Sequence, residues 1–284
     1  VEVISVDLGK RLEAPSVADL PLDGELGLIS RALRFYDAPN GIRVTTRNDA
    51  PAGSGLGSSS SLLIALSGAL RAINGLSISD EELIDNAADI EAQVIRVPTG
   101  KQDYFAALYG GLNAIWFDAG RAERLHLDHD HSFVNALAEQ LLLVYSGSSR
   151  CSAMTNWAMI RNYIEGVGDT RQRMRRIREI TIAMKEAIEQ GDLQAVGQLM
   201  SAEWEARRGL AEDVDCEDLR RIISAADDAG ALGRKVCGAG GGGCLVILTE
   251  PSGAPAVAEA VRQAGGRILD WQPAFKGLSV SVEP

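Results

Sequence analysis

Apolar and polar positions alternate over Val1–Asp7 and again over Gly41–Thr46, the period-two rhythm of strands with one buried face. Between them the spacing changes. Leu26, Leu28, Ile29, Leu33 and Phe35 predict an amphipathic helix over Glu25–Phe35. A polar, glycine-rich loop at Asn48–Gly57 runs straight into an apolar helix predicted over Ser58–Ile73, which stops at Asn74 and Gly75, residues suited to a left-handed turn. Ser79 and Glu82 form a capping-box pattern that opens the next helix, running to about Ile95, before Pro98 breaks it. A short helix over Asp103–Tyr109, ended by Gly110-Gly111, leads to a strand around Leu112–Phe117.

The pattern then restarts. Leu141–Tyr145 reads as a short buried strand, and helices are predicted over Ser152–Glu165, Arg171–Glu189, Leu193–Leu210 and Glu217–Ala229. A run of glycines follows, then a strand at Cys244–Leu248, a helix at Ala254–Ala264 and strand-like runs at Gly266–Trp271 and Leu278–Val282. Strands and helices mix without the regular alternation of a parallel sheet, so the class is α+β. At 284 residues, and about one domain per 150 residues, two domains are expected.

Composition narrows the function classes. Twenty-eight Lys and Arg stand against 39 Asp and Glu, a net charge of −11, which speaks against nucleic acid or an anionic membrane as partner. The four cysteines are too few and too scattered for a disulfide scaffold, and Cys237 and Cys244 have no zinc-site spacing, so reduced thiols and a cytoplasmic setting are expected. No run approaches the roughly 18 apolar residues of a membrane span, and no secretory signal opens the chain.

Two glycine loops carry the candidate chemistry. In Pro51-AGSGLGSSSS, the missing Cβ atoms of Gly53, Gly55 and Gly57 let backbone N–H groups approach an anion, and the helix starting near Ser58 aims its free N–H groups at the same place. The serines that follow supply hydroxyls for phosphate oxygens or a magnesium ion. A tight turn with a serine cap is the plainer reading. The loop lacks the lysine of a P-loop, and its GxGxG spacing does not fit a dinucleotide fold. The second run, Gly238-Ala239-Gly240-Gly241-Gly242-Gly243, has the form GxGxxG, but the segment after it reads as a strand instead of a helix. So little side-chain volume between two strands suggests backbone passing tightly against a ligand or another loop.

Two acids stand out. On the helix from Asp80, Glu91 shares a stripe with Ile84, Ala87, Ala88, Val94 and Ile95, so its carboxylate falls on the buried face and requires a partner. A magnesium ion and a salt bridge to Arg96 both meet that need. Asp103 lies in the first turn of a short helix, where the helix N-terminus stabilises an acid, and where it can also accept a proton from a substrate hydroxyl. Lys101 is placed to neutralise a transferring group or to hold Asp103 ionised.

Taken together, these segments resemble the GHMP kinases, the superfamily of galactokinase, homoserine kinase and mevalonate kinase. The loop at 51–59 is similar to its PxxxGLGSS motif, and Gly238–Gly243 to its GAGGGG motif. Thr99-GKQDYFAALYGGLNAI and Tyr145-SGSSRCSA most resemble heptose-phosphate and related sugar kinases. The resemblance implies ATP- and Mg2+-dependent phosphorylation of a hydroxyl on a sugar or sugar phosphate. Gly53, Ser54, Gly55, Leu56, Gly57, Ser58 and Ser59 would wrap the triphosphate, Ser59 and Glu91 would hold the magnesium, Asp103 would serve as acid-base residue and Gly238–Gly243 would lie beside the substrate. The implied fold is a ribosomal-protein-S5-like domain, drawn over residues 1–134, with a ferredoxin-like domain over 135–284 and the site in the cleft between them. Members of the family also carry a strand and a motif with a basic residue ahead of the segment matching Val1, and no such motif stands in this sequence. The other readings are a kinase of a different small alcohol, a decarboxylase that phosphorylates its substrate transiently, and a ligand-binding protein of the same fold without catalysis.

Weaker signals complete the picture. The run His126-Leu-Asp-His-Asp-His131 reads as a solvated loop instead of a metal site, and the five arginines of Arg171–Arg178 as a solvated helix surface. Arg150, after the Ser146-Gly-Ser-Ser turn, is a candidate contact for a sugar phosphate.

Overall fold

The computed structural model describes residues 1–51, 53–128, 131–148 and 152–283. The chain forms two compact units, each assembled from separated stretches: Val1–Pro51, Gly57–Gly110 and Lys276–Pro284 in the first, Ala52–Leu56 and Gly111–Phe275 in the second.

In the first unit, β1 (Glu2–Ser5) pairs antiparallel with β2 (Lys10–Glu13). Helix α1 (Gly27–Phe35) then carries the chain over to β3 (Arg43–Thr46), which runs parallel to β1, so the sheet order is β2-β1-β3. Three further helices follow: α2 (Ser58–Ile73), α3 (Asp80–Ile95) and α4 (Gln102–Tyr109). Leu33, Leu63, Ile64, Leu70, Leu83, Ile84 and Tyr104 are almost wholly withdrawn from water and form the core of this unit. The start of α3 is fixed by both halves of the capping box. Glu82 N donates to Ser79 Oγ at 3.1 Å, and Ser79 N donates to Glu82 Oε2 at 2.8 Å.

The second unit opens with a hairpin, β4 (Asn113–Asp118) and β5 (Arg121–His126), turned at Gly120. Helix α5 (Ser132–Gln140) leads to β6 (Leu141–Tyr145) and then to α6 (Ser152–Glu165), α7 (Thr170–Glu189), α8 (Leu193–Arg207) and α9 (Glu217–Asp228). Strands β7 (Gly233–Val236) and β8 (Cys244–Leu248), helix α10 (Ala254–Gln263) and β9 (Arg267–Leu269) complete it. All pairings in the four-stranded sheet β7-β8-β6-β9 are antiparallel. Numbered within this sheet the order is 2-3-1-4, that of a split βαβ, ferredoxin-like sheet. β8 is apolar throughout because both of its faces are covered. Leu245 and Ile247 pack with Trp204, Ile222 and Val257 on one side, and Val246 and Leu248 with Phe133 and Met200 on the other.

Several sequence expectations are corrected here. Leu278–Val282 forms no strand; Leu278 N donates to Leu108 O at 3.0 Å, and its side chain occupies the space beside Gly68. The compact units divide at Gly110–Gly111 instead of at residue 134, because Phe133 is buried with Val196, Met200 and Leu248, and Leu112 packs on the same cluster. Of the histidine run, His129 and Asp130 lie outside the described residues, and the described residues Asp128 and His131 are packed instead of solvated. Asp128 is buried and accepts from Val134 N at 2.8 Å at the start of α5, and the ring of His131 lies 4.0 Å from that of Phe275. The arginines of α7 keep to the expected solvated surface: Arg171, Arg175, Arg176 and Arg178 are exposed and Arg173 is half-buried, with Arg171 donating to the carbonyls of Tyr163 and Ile164 and Arg173 to that of Glu205.

Candidate active site

The first unit gathers one group of predicted residues around the start of α2. Gly57 caps this helix in a left-handed conformation, φ 71°, which a side chain would strain. An added Cβ there would also stand 3.0 Å from Cβ of Asp103 and 3.1 Å from its Cγ, so the carboxyl of Asp103 is seated directly against the end of the loop. One residue into the helix, the Ser59 hydroxyl donates to Glu91 Oε1 at 2.5 Å. The hydroxyl of Tyr104 donates to the other oxygen, Glu91 Oε2. Glu91 is 8% exposed, as its place on the apolar stripe predicts. Its described hydrogen-bond partners are these two hydroxyls, and the salt bridge to Arg96 is not formed; Arg96 instead turns the chain out of α3 with φ 58°.

Asp103 sits in the first turn of α4, as expected. Burial first, and the nearby charge of Glu91 second, push its carboxyl above the ordinary range for aspartate. Burial and the bond to Glu91 likewise push the Tyr104 phenol up, so it stays a donor. Lys101 departs from its expected part. Its ammonium pairs with Asp85 Oδ1 at 2.5 Å, on an exposed part of the surface, and it is not what sets the charge state of Asp103.

In the second unit the other half of the loop lies against the second glycine run, backbone on backbone. Cys244 N donates to Ser54 O at 2.7 Å, and a Cβ on Gly243 would fall 2.6 Å from that same carbonyl oxygen. A Cβ on Gly55 would meet Cys237 O at 2.8 Å, and one on Gly238 would meet Gly55 Cα at 3.0 Å. On its far side the run is held by Val214 O, which accepts from Gly241 N at 2.7 Å, and by Ser148 O, which accepts from Gly243 N at 2.7 Å. Gly240 and Gly242 have positive φ and no room for a side chain there, so the run is a packed, shaped segment. Ala239, its one residue with a Cβ, is buried in the core of this unit. Arg150 lies outside the described residues.

Two hydroxyls of the loop are buried without a described partner: Ser54 Oγ and Ser58 Oγ. Buried polar atoms ordinarily find partners, and donors left open beside a glycine backbone suit the oxygens of a phosphate chain. The pair Ser59 and Glu91 is an all-oxygen donor set, the chemistry of a hard divalent cation. Among the described residues no three His, Cys, Asp or Glu side chains gather into a group that could hold a metal ion. A cavity of about 700 Å³ runs along α2, lined by Val44, Thr45, Asn48, Leu62 and Leu66 among others, a size suited to a small ligand. No described helix is long and apolar enough to cross a membrane.

Known proteins match this arrangement. The GHMP kinases N-terminal domain matches residues 27–111, and the GHMP kinases C-terminal domain matches residues 184–267. The chain is 27% identical over 282 residues to D-glycero-alpha-D-manno-heptose 7-phosphate kinase of Campylobacter jejuni, covering 96% of this chain and 82% of that one. It is 28% identical over 260 residues to galactokinase of Thermococcus kodakarensis, covering 82% and 72%. Among solved structures, a D-glycero-D-manno-heptose 1-phosphate kinase from Bacteriodes thetaiotaomicron superposes with a TM-score of 0.77 at 25% identity, over 100% of this chain and 83% of that one. Galactokinase of Lactococcus lactis shares the fold at 18% identity and a TM-score of 0.72, over 97% and 82%. With both domains of one family present in order, the chain belongs to the GHMP kinases, and it is a phosphotransferase that acts on an alcohol group.

Proposed function

We propose that this enzyme transfers the γ-phosphoryl group of ATP, with Mg2+, to a hydroxyl of a sugar or sugar phosphate. The observation that carries the reading is the joint placement of Ser59, Glu91 and Asp103 at the start of α2: two oxygen ligands bonded to each other, and an acid held against the loop by Gly57. The similarity to kinases named for heptose phosphates and for galactose supports the substrate class.

In this reading the backbone N–H groups of Gly53–Ser59, with the hydroxyls of Ser54 and Ser58, bind phosphate oxygens at the positive end of the α2 dipole. Ser59 and Glu91 hold the magnesium, which, when bound, offsets charge on the phosphates. Asp103 accepts the proton of the attacking hydroxyl or orients that hydroxyl; its raised pKa makes it a better base than an exposed aspartate. Phosphoryl transfer asks for positioning and charge stabilisation more than for covalent chemistry, and these groups supply both. The cavity along α2 takes the nucleoside.

The test is ADP release across a panel of sugars, sugar phosphates, homoserine and mevalonate, with Asp103→Asn alongside. Turnover with one sugar class, lost in Asp103→Asn while ATP still binds, is the expected result. Turnover with mevalonate or homoserine alone would overturn the substrate class, and absence of ATP binding would overturn the reading of the loop.

A further inference from the structure

Tyr104 takes no part in the chemistry described so far, yet it is 0% exposed and its hydroxyl ends on the carboxylate of Glu91. A carboxylate has two oxygens, and here they are used differently. Oε1 accepts from Ser59 at 2.5 Å, on the side of the loop, while Oε2 accepts from Tyr104. A lone buried carboxylate can turn about its last bond. With one oxygen tied by a phenol that is itself locked in the core, the other is left facing Ser59. The residue before Tyr104 is Asp103, so one short helix carries both the acid that meets the hydroxyl and the group that aims the neighbouring carboxylate.

We propose that Tyr104 is a positioning residue for the divalent cation: its hydroxyl fixes Glu91 Oε2 so that Oε1, with Ser59 Oγ, forms a preset pair of oxygen ligands. The inference rests on Ser59 and Glu91 being the cation's protein ligands. Partners that orient metal ligands from behind typically change metal affinity by about 10- to 100-fold when removed. A tyrosine that only filled the core would change stability and leave metal affinity alone.

The experiment measures Mn2+ binding by electron paramagnetic resonance, with a non-hydrolysable ATP analogue present, in the wild type, Tyr104→Phe, Glu91→Gln and the double variant. Turnover is recorded beside it as a function of free Mg2+. Expected is a loss of Mn2+ affinity of about tenfold or more in Tyr104→Phe, a matching rise in the Mg2+ concentration needed for half-maximal rate, and a maximal rate at saturating Mg2+ that falls far less. In the Glu91→Gln background the same change is expected to have no further effect, because Tyr104 acts through that carboxylate. Installing 4-aminophenylalanine at position 104, which puts an N–H donor in the same place, is expected to restore affinity and keeps the test available if the phenylalanine variant does not fold. Unchanged Mn2+ affinity in Tyr104→Phe while Glu91→Gln loses it would overturn the role of Tyr104 and leave the metal site standing. An equal loss in the Glu91→Gln background, or no restoration by the amine, would overturn it as well. Unchanged affinity in Glu91→Gln would instead remove the metal assignment on which the inference rests.

Discussion

Gly57 and Asp103 touch through the place where a side chain is missing: a Cβ on the glycine would lie 3.0 Å from Cβ of the aspartate. The same glycine has φ 71°, so two separate demands fall on one position. Gly57→Ala is therefore expected to cost about 1–2 kcal/mol of backbone strain and to displace the Asp103 carboxyl. Steady-state kinetics should show a fall in kcat of about tenfold or more, since small misplacements at a reacting group are costly. A kcat within twofold of the wild type would mean that the contact does not set the position of Asp103.

Asp103 illustrates a conflict between stability and activity. Burial and the charge of Glu91 raise its folded pKa above that of the unfolded chain. In the window between those two values the folded protein binds more protons, so stability falls as pH rises through it. Above the folded pKa the ionised side chain is a standing cost, and Asp103→Asn should melt at a higher temperature than the wild type at pH 7.5, with the difference shrinking towards pH 4. Activity has the opposite demand. If Asp103 acts as the base, log(kcat/KM) falls on acidification through a pKa above the usual aspartate range.

The contact between the two glycine runs sets a third test. Gly243 has φ 80°, and a Cβ on it would sit 2.6 Å from the Ser54 carbonyl oxygen, which also accepts from Cys244 N. Gly243→Ala must push the Ser54 backbone away. ATP affinity, measured by calorimetry, is expected to drop by about tenfold or more, the range of one lost charge-assisted hydrogen bond, while Gly120→Ala, at a hairpin turn with open space around it, should leave affinity unchanged.

Away from the site, Glu203 in α8 is buried and accepts from Arg207 Nε at 2.6 Å and from Lys235. Burial alone would raise its carboxyl, but Lys235 and Arg207 outweigh it and hold the pKa below the ordinary glutamate value. Its contribution to stability is thus complete above the unfolded pKa and is lost as pH falls through the lower folded one. Denaturant midpoints of wild type and Glu203→Gln should converge between pH 5 and pH 3, the wild type losing more on acidification. Parallel curves would show that the pair adds nothing to folding.

How much of this was legible in the sequence depends on whether the signal was local. Helices with clear start and stop signals were readable almost to the residue: α2 begins after Gly57 and ends before Asn74-Gly75, and α3 begins after the Ser79 cap and ends at Ile95, ahead of Pro98. The glycine loops and the buried place of Glu91 were readable for the same reason. Strands β2 (KRLE) and β5 (RAERLH) were missed because they are largely exposed and polar, so no alternation marks them. The ties across the chain were also hidden. Nothing in spacing says that Tyr104 reaches Glu91 or that Lys101 turns to Asp85, since both depend on how α3 and α4 pack. Tyr104 could have been suspected only as a polar tip on a core residue beside Asp103.

The interleaved make-up of the two units bears on how the protein is born. The chain passes between them four times, and the first unit lacks its closing piece until Lys276–Pro284 is synthesised: Gly277 lies against the carbonyl of Leu108, and Leu278 fills the space beside Gly68. The loop strand at Ser54 likewise waits for Cys244 before its carbonyl has a donor. An emerging nascent chain therefore cannot finish the first unit before the segment from Lys276 has emerged, and a gene split at Gly110–Gly111 would yield two fragments, each short of a segment that the other encodes.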